Sequence, residues 1–162
     1  MLRIAAVGVA AALIWTVAAS RVANSQRLPL ASIVRGAVET LPFGCTSLAL
    51  EPFDPLCAGM HIHTGIDLAA PAGTPVHAAA AGLAFAGFDP SGAGIYVAVS
   101  LGPHVRLLYC HLWRVHVVAG ESVTPGEVIG EVGATGIATG AHLHFEVQVD
   151  GRPVDPQVWL GS

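Results

Sequence analysis

The sequence predicts an all-β protein with one domain. Its 162 residues are a one-domain length, and its 19 glycines and 11 prolines make the chain rich in turns. From residue 61 onward, short apolar runs lie between those turns, and several of them are β-branched or alternating. No helical window of useful length interrupts them, so we expect short strands around one modest core.

Seven segments have the pattern of strands. They lie at 75–80, 83–87, 94–100, 104–110, 115–118, 127–132 and 142–149. The turn dipeptide Asp150-Gly151 follows the last of them. We expect no second domain, and we divide the chain into an N-terminal leader at 1–19, a linker or N-terminal segment at 20–43, and a core domain at 44–160.

The leader predicts export. Residues 4–19 are apolar and uncharged, Arg3 precedes them, and the small residues Val17-Ala18-Ala19 offer a cleavage site before Ser20. This run is shorter than the roughly 20 residues that a membrane-spanning helix needs. We therefore expect a hydrophobic helix that acts as a signal peptide, with an uncleaved signal anchor as the alternative.

The charged residues exclude several classes of protein. All seven basic residues are arginines, and the chain has no lysine. A P-loop nucleotide site, a Schiff-base enzyme and a lipoyl or biotin carrier each need a lysine amine. The net charge of −4 offers no basic surface to nucleic acid. Counted from Leu28, four arginines stand against eleven acids, so we expect contact with a membrane only through an uncleaved leader.

The three cysteines would meet an oxidising compartment after export. Cys45 and Cys57 lie in a Pro/Gly-rich segment with little core of its own. We expect them to form a disulfide that stabilises the fold by roughly 2–3 kcal/mol. Cys110 lies in an apolar strand pattern, where we expect a small buried thiol.

The histidines carry the chemistry. His63-Thr-Gly-Ile-Asp67 combines an imidazole and a carboxylate, which are both good zinc ligands. His142-Leu-His144 lies in a strand pattern, where residues two apart face the same side. His111 ends another strand pattern. Two histidines and one aspartate would leave a fourth zinc position for water, which is typical of a catalytic site rather than a structural one.

Five motifs connect these residues to a known family. They are HTGIDLAAPAGTPV at 63–76, LYCHL at 108–112, GESVTPGEVIG at 120–130, GATGIATGAHLHFEV at 133–147 and DGRPVDP at 150–156. In order and spacing, they resemble the lysostaphin-type, or LytM-like, zinc endopeptidases. The resemblance covers about residues 59–160.

The resemblance implies a complete site. His63, Asp67 and His144 would bind one zinc ion, and His111 and His142 would line the site without being primary ligands. The implied fold is a small antiparallel β-sheet core, an open sandwich or barrel-sandwich hybrid, with the site in a loop-walled groove. The implied activity is hydrolysis of peptide bonds in bacterial peptidoglycan, in wall remodelling or lysis. From the predicted leader we expect the protein in the periplasm, cell wall or medium, and we expect it to be a monomer.

General chemistry assigns tasks to the two remaining histidines. One would take a proton from the attacking water and later protonate the leaving amine. The other would donate a hydrogen bond to the developing oxyanion. The sequence leaves open which of His111 and His142 does which. Glu146, two residues beyond His144, either orients that ligand or is a solvated strand residue, and His61 is expected beside the groove.

Three other functions compete with this reading. A catalytically inactive LytM-like regulator would activate another wall hydrolase, but such domains typically lack one or more site residues, and all five are present here. The segment 120–130 looks like the turn of a biotinyl or lipoyl carrier, which the missing lysine excludes. Three ligands rather than four disfavour a structural metal protein. Cys110, Ala134 and Ala141 depart from the family's usual residues, and none of them is a proposed ligand.

Overall fold

The computed structural model describes residues 27–161. The predicted leader, its hydrophobic helix and its cleavage site lie outside the described residues. Within residues 27–161, no helix has the length and apolar character needed to span a bilayer.

Strands dominate the described chain. They are β1 (Val38–Leu41), β2 (Gly44–Thr46), β3 (His61–His63), β4 (Ile66–Ala69), β5 (Pro75–His77), β6 (Gly82–Asp89), β7 (Gly94–Ser100), β8 (Val105–Leu112), β9 (Arg114–Val115), β10 (Glu121–Val123), β11 (Val128–Glu131), β12 (His142–Val149) and β13 (Arg152–Val154). One 3₁₀ turn (Leu30–Ser32) precedes them and one short helix, α1 (Pro156–Leu160), follows them. This confirms the predicted β architecture.

The main sheet places the site at its centre. Its strands are antiparallel and follow the order β1-β4-β12-β8-β7-β6-β10, with β13 beside β12 where β4 ends. A three-stranded sheet, β5-β11-β9, and the pair β2-β3 complete the structure. On β12, His144 stands opposite Asp67 of β4 on one side and Cys110 of β8 on the other.

The alternation of β12 separates the core from the site. Leu143, Phe145 and Val147 are fully buried and face the core. The intervening His144 and Glu146 face the opposite side, because successive side chains of a strand point to opposite faces. Burying each large apolar side chain contributes about 1.5–3 kcal/mol, so the same strand both anchors the core and presents the polar residues.

Tyr109 offers a test of the core. Its ring is fully buried, and its hydroxyl accepts a hydrogen bond of 2.8 Å from the backbone N–H of Ala79. We expect Tyr109→Phe to lower the free energy of unfolding by about 1–3 kcal/mol, because the buried N–H loses its partner. Urea denaturation followed by circular dichroism measures the change. Tyr96→Phe is the control, since the half-buried Tyr96 makes no hydroxyl hydrogen bond among the described residues. Equal stability of the two variants would contradict the assignment.

The structure corrects several predicted boundaries. The strand predicted at 75–80 ends at His77, because the buried Ala78–Ala80 segment turns to bond Glu127 and Tyr109. The strand predicted at 115–118 is only the end of β9, which stops at Val115. Six further strands were not predicted, and all of them have three or four residues: β1, β2, β3, β4, β10 and β13. Such short runs show no periodicity.

The ends of the domain also differ from the sequence pattern. The helix α1 was missed although Asp155 caps it by accepting from the N–H of Gln157, and Pro156 occupies its first turn. The segment 20–43, predicted as a linker or N-terminal segment, contributes the buried Ile33 and Val34 to the core and supplies β1 to the edge of the main sheet.

The cysteines are arranged as the sequence indicates. Cys45 of β2 forms a disulfide with Cys57, twelve residues later. The bridge closes a loop over residues 46–56 in which no residue is fully buried. Cys110 is a free, buried thiol. Both predictions for the cysteines are therefore confirmed.

Candidate metal centre

Three elements bring the predicted ligands together. His63 is the last residue of β3, Asp67 is the second residue of β4, and His144 lies opposite Asp67 on β12. The turn between β3 and β4 passes closely behind His144. A Cβ added at Gly65 would lie 2.5 Å from the carbonyl oxygen of Phe145 and 2.8 Å from Nε2 of His144. Only glycine therefore lets the turn approach the strand.

The three ligand atoms form a nearly equilateral triangle. His63 Nε2 lies 3.1 Å from Asp67 Oδ1 and 2.9 Å from His144 Nδ1, and the remaining side measures 3.0 Å. A tetrahedral zinc ion with bonds of about 2.0–2.1 Å would hold its ligands about 3.3–3.4 Å apart. Two neutral imidazole nitrogens and one carboxylate oxygen at this spacing fit a zinc ion with little movement.

The ligand triangle is buried on the side of His63 and partly exposed at Asp67 and His144. His63 is completely buried, whereas the Asp67 and His144 side chains keep 14% and 13% of their surface exposed. The Nδ1 of His63 lies 2.9 Å from the carbonyl oxygen of Pro42. Since a carbonyl only accepts, Nδ1 carries the proton and Nε2 presents its lone pair to the triangle.

Without an ion, a carboxylate and a protonated histidine face each other in the cluster. Burial alone would raise the pKa of the Asp67 carboxyl, but the hydrogen bond from the protonated His144 imidazole and its positive charge outweigh it and hold that pKa well below its usual range. Burial alone would lower the pKa of His144, but the carboxylates of Asp67 and Glu146 outweigh it and raise that pKa to about 9. At neutral pH the ion-free cluster thus contains a carboxylate and a protonated imidazole.

His111 and His142 lie beside the triangle as a pair. Their ring centroids are 4.8 Å apart, and the ring of His111 is 6.0 Å from that of His144. Each holds its Nδ1 on a backbone carbonyl, at 2.8 Å from Thr135 for His111 and at 2.9 Å from Gly140 for His142. Both rings are therefore oriented with Nε2 available for other partners.

The environment of His111 sets its charge. Burial lowers its pKa to about 4, although the hydrogen bond to Thr135 opposes the shift. The imidazole is thus neutral over the physiological range and can accept a proton. Its backbone has a φ of 62°, a left-handed conformation that is uncommon for residues other than glycine and asparagine. The fold stabilises this conformation at the end of β8 by bonding the His111 N–H to Ala93.

Four of these five residues, Asp67, His111, His142 and His144, line a groove with loop walls, whereas His63 is completely buried. The groove has a volume of about 270 Å³. Leu108, Glu146 and Gln148 extend its floor along β8 and β12. The disulfide-closed loop forms one wall with Leu48, Leu50 and Glu51, and the segment 137–139 contributes to another.

The structure brings all five sequence-predicted site residues together. His61 is held elsewhere: its Nδ1 lies 2.7 Å from the carbonyl oxygen of Glu51, so it supports the disulfide-closed loop. Sequence reasoning missed the wall residues Leu48 and Leu50, whose only signal was their place between the two paired cysteines. It also missed the backbone carbonyls that orient the histidines, which no side-chain pattern reveals.

The chain is similar in sequence and in structure to known peptidases. Residues 61–156 match the family model described as Peptidase family M23. Over 93 residues, the chain is 41% identical to the peptidoglycan DD-endopeptidase ShyA of Vibrio cholerae, an alignment that covers 57% of this chain and 22% of that protein. The chain spans about a quarter of the length of the curated relatives it matches.

Solved structures share the fold. A zinc-containing peptidase from Vibrio cholerae superposes with a TM-score of 0.65 at 31% identity, covering 80% of this chain and 39% of the other. The catalytic domain of the antimicrobial peptidase lysostaphin from Staphylococcus simulans superposes with a TM-score of 0.64 at 30% identity, covering 78% of this chain and 93% of the other.

Proposed function

We propose, on the premise that this chain belongs to peptidase family M23, that it is an exported zinc endopeptidase that hydrolyses peptide bonds of bacterial peptidoglycan. The observation that carries the proposal is the triangle of His63, Asp67 and His144 at the base of a groove, with two further histidines beside it. The name of the relative ShyA supports peptidoglycan as the substrate.

His63, Asp67 and His144 would hold the ion, and the incomplete ligand set faces the groove. A zinc ion in such a site lowers the pKa of bound water toward about 7 and polarises a substrate carbonyl. His63 and Asp67 lie on consecutive strands joined by a two-residue turn, so their separation is fixed by the fold. The site is therefore preorganised rather than assembled by substrate.

His111 and His142 would handle the protons. The neutral imidazole of His111, with its Nδ1 proton held on Thr135, has Nε2 free to accept a proton. His142 is held in the same way on Gly140, and its Nε2 lies 3.6 Å from Asp67 Oδ1. We assign His111 as the proton acceptor, because burial keeps it neutral. His142 would be the donor to the developing oxyanion, a role that requires a proton on Nε2 in addition to the Nδ1 proton held on Gly140.

The purified chain, loaded with zinc, tests the function on isolated peptidoglycan. New amine termini, identified by mass spectrometry, are expected to form, to vanish with a chelator and to return with zinc. The masses name the bond that is cut. Intact peptidoglycan in the presence of zinc-bound protein would contradict the endopeptidase assignment and would favour a regulator of another wall hydrolase.

Export and a monomeric state belong to the same proposal. The disulfide between Cys45 and Cys57 supports an oxidising compartment. We expect the mature chain, recovered from a bacterial periplasm or medium, to elute from a sizing column as a monomer. Its N-terminal peptide distinguishes cleavage near Ser20 from a retained anchor, and recovery of the full chain in the cytoplasm would contradict export.

Zinc uptake is expected to release a proton. The raised pKa of about 9 leaves His144 protonated at pH 7 in the ion-free chain, and a ligand imidazole must be neutral. About one proton should therefore leave per zinc bound at pH 7, and the release should fall above pH 9. Calorimetric titrations in two buffers with different ionisation enthalpies measure it. Identical heats in both buffers at pH 7 would contradict the protonated state.

A further inference from the structure

We propose that Glu146 is a positioning residue of the metal centre, which keeps the His144 imidazole turned with Nδ1 toward the ligand triangle. Thr64 and Gln148 in turn hold the Glu146 carboxylate. The inference rests on the proposed zinc site but assigns a role to side chains outside the ligand set.

The two edges of the His144 ring face different carboxylates. Nδ1 lies 3.0 Å from Asp67 Oδ1, and Nε2 lies 3.6 Å from Glu146 Oε2. The second distance is an ion-pair contact that is longer than a hydrogen bond. A histidine ring has a broad, roughly two-fold rotation about its outer bond, so a half-turn would put the carbon Cδ2 in the place of Nδ1 and remove the ligand nitrogen from the triangle. A negative charge behind Nε2 attracts the N–H at that nitrogen and favours the observed orientation.

The Glu146 carboxylate is itself held at both oxygens. Thr64 Oγ1 donates to Oε2 at 2.6 Å, and Gln148 Nε2 donates to Oε1 at 2.6 Å. Only 8% of the residue is exposed, and a buried carboxylate is costly unless it is paired and hydrogen-bonded. Among the described residues, His144 is its one ion-pair partner. The charge is thus kept in a buried place where it acts on a single ligand.

The same contacts connect the two parts of the chain that carry ligands. Thr64 follows His63 directly and lies 82 residues before Glu146 in the sequence. Its hydroxyl therefore ties the turn after β3 to the strand that carries His144. Carboxylates behind metal-bound histidines orient the ring and raise its basicity, and their loss weakens metal binding by about 10–100-fold.

The two histidine ligands are held in different ways. A backbone carbonyl, that of Pro42, fixes His63, and no substitution removes it. A side chain fixes His144, so its contribution can be measured. A merely structural role would consist of tying β12 to the turn through Thr64, which would change stability and leave the affinity for an ion unaltered.

The experiment measures zinc affinity directly, by competition with a chromophoric chelator, for the full chain and its Glu146→Ala and Glu146→Gln variants. We expect Glu146→Ala to bind zinc about 10–100-fold more weakly. Glu146→Gln keeps the size and one acceptor oxygen, replaces the other oxygen by an NH₂ donor and removes the charge, so we expect a smaller loss in the same direction. Cobalt-substituted samples should show an altered visible absorption spectrum in both variants, because the spectrum reports the ligand environment.

Matched variants separate the alternatives. Glu131→Gln removes the carboxylate of an exposed histidine pair, His116–Glu131 at 2.9 Å, and should leave zinc affinity unchanged. Thr64→Val removes one donor to Glu146 and should weaken zinc binding less than Glu146→Ala. Wild-type affinity and an unchanged cobalt spectrum in Glu146→Gln and Glu146→Ala, even with lower thermal stability, would overturn the inference alone. Failure of the unmodified chain to bind zinc would overturn the proposed function as well.

Discussion

Gly65→Ala is expected to abolish zinc binding and peptidase activity while most of the sheet remains folded. The added methyl group would lie 2.8 Å from Nε2 and 2.9 Å from Cε1 of His144, and 2.5 Å from a backbone oxygen. Such contacts force the ring or the turn to move, and the ligand triangle tolerates little movement because its sides are 2.9–3.1 Å. We expect at least a 100-fold loss of zinc affinity, measured by chelator competition.

A glycine in another loop near the site, Gly140, provides the control. Gly140 lies in the loop before His142, and a Cβ there would meet no atom within 4 Å. Gly140→Ala should therefore bind zinc as the unmodified chain does. Circular dichroism of the ion-free proteins separates a lost site from a lost fold. If Gly65→Ala held zinc with unchanged affinity, the close approach of the turn to His144 would be refuted.

His111→Asn is expected to lower kcat by about 10²–10⁴-fold, the range for a lost general acid or base, with one zinc ion still bound. Asparagine is chosen because it tolerates the left-handed backbone that His111 adopts, with a φ of 62°. Hydrolysis of a cross-linked peptide and metal analysis of the same sample measure both quantities. The residue lies outside the triangle, so the zinc content should not change.

Two further variants sharpen this result. His142→Asn should also retain zinc and lose activity, because one oxyanion donor is worth about 10²–10³-fold in kcat. His116→Asn, at an exposed pair away from the groove, should keep full activity. Full activity of both His111→Asn and His142→Asn with zinc bound would refute their assignment as catalytic residues.

The residues of the site could be predicted from the sequence because their chemistry leaves few alternatives. The sequence has a histidine and an aspartate four positions apart and two histidines two positions apart. These residue types are metal ligands, and the second spacing puts both side chains on one face of a strand. The strands that carry His63 and Asp67, β3 and β4, could not be predicted, since runs of three and four residues carry no period. The disulfide was predictable because only three thiols exist and one lies in an apolar strand.

The contacts that orient the site residues could not be predicted from the sequence. Every residue has a carbonyl, so nothing in the sequence distinguishes the one of Pro42 that holds His63 or the one of Thr135 that holds His111. Glu146 was visible at the correct spacing from His144, but only the hydrogen bonds from Thr64 and Gln148 separate a buried charge from a solvated strand residue.

The region matched by the family model is shorter than the part of the chain that forms the site and its groove. The match begins at residue 61. Outside it, the carbonyl of Pro42 orients the proposed ligand His63, and the loop closed by Cys45 and Cys57 forms a wall of the groove. A fragment trimmed to the matched region would keep every proposed ligand and both histidines proposed as catalytic. It would lose the carbonyl that orients His63 and one wall of the groove. A domain cut out by the family alignment alone would therefore keep the motif but lack part of the structure that supports the site.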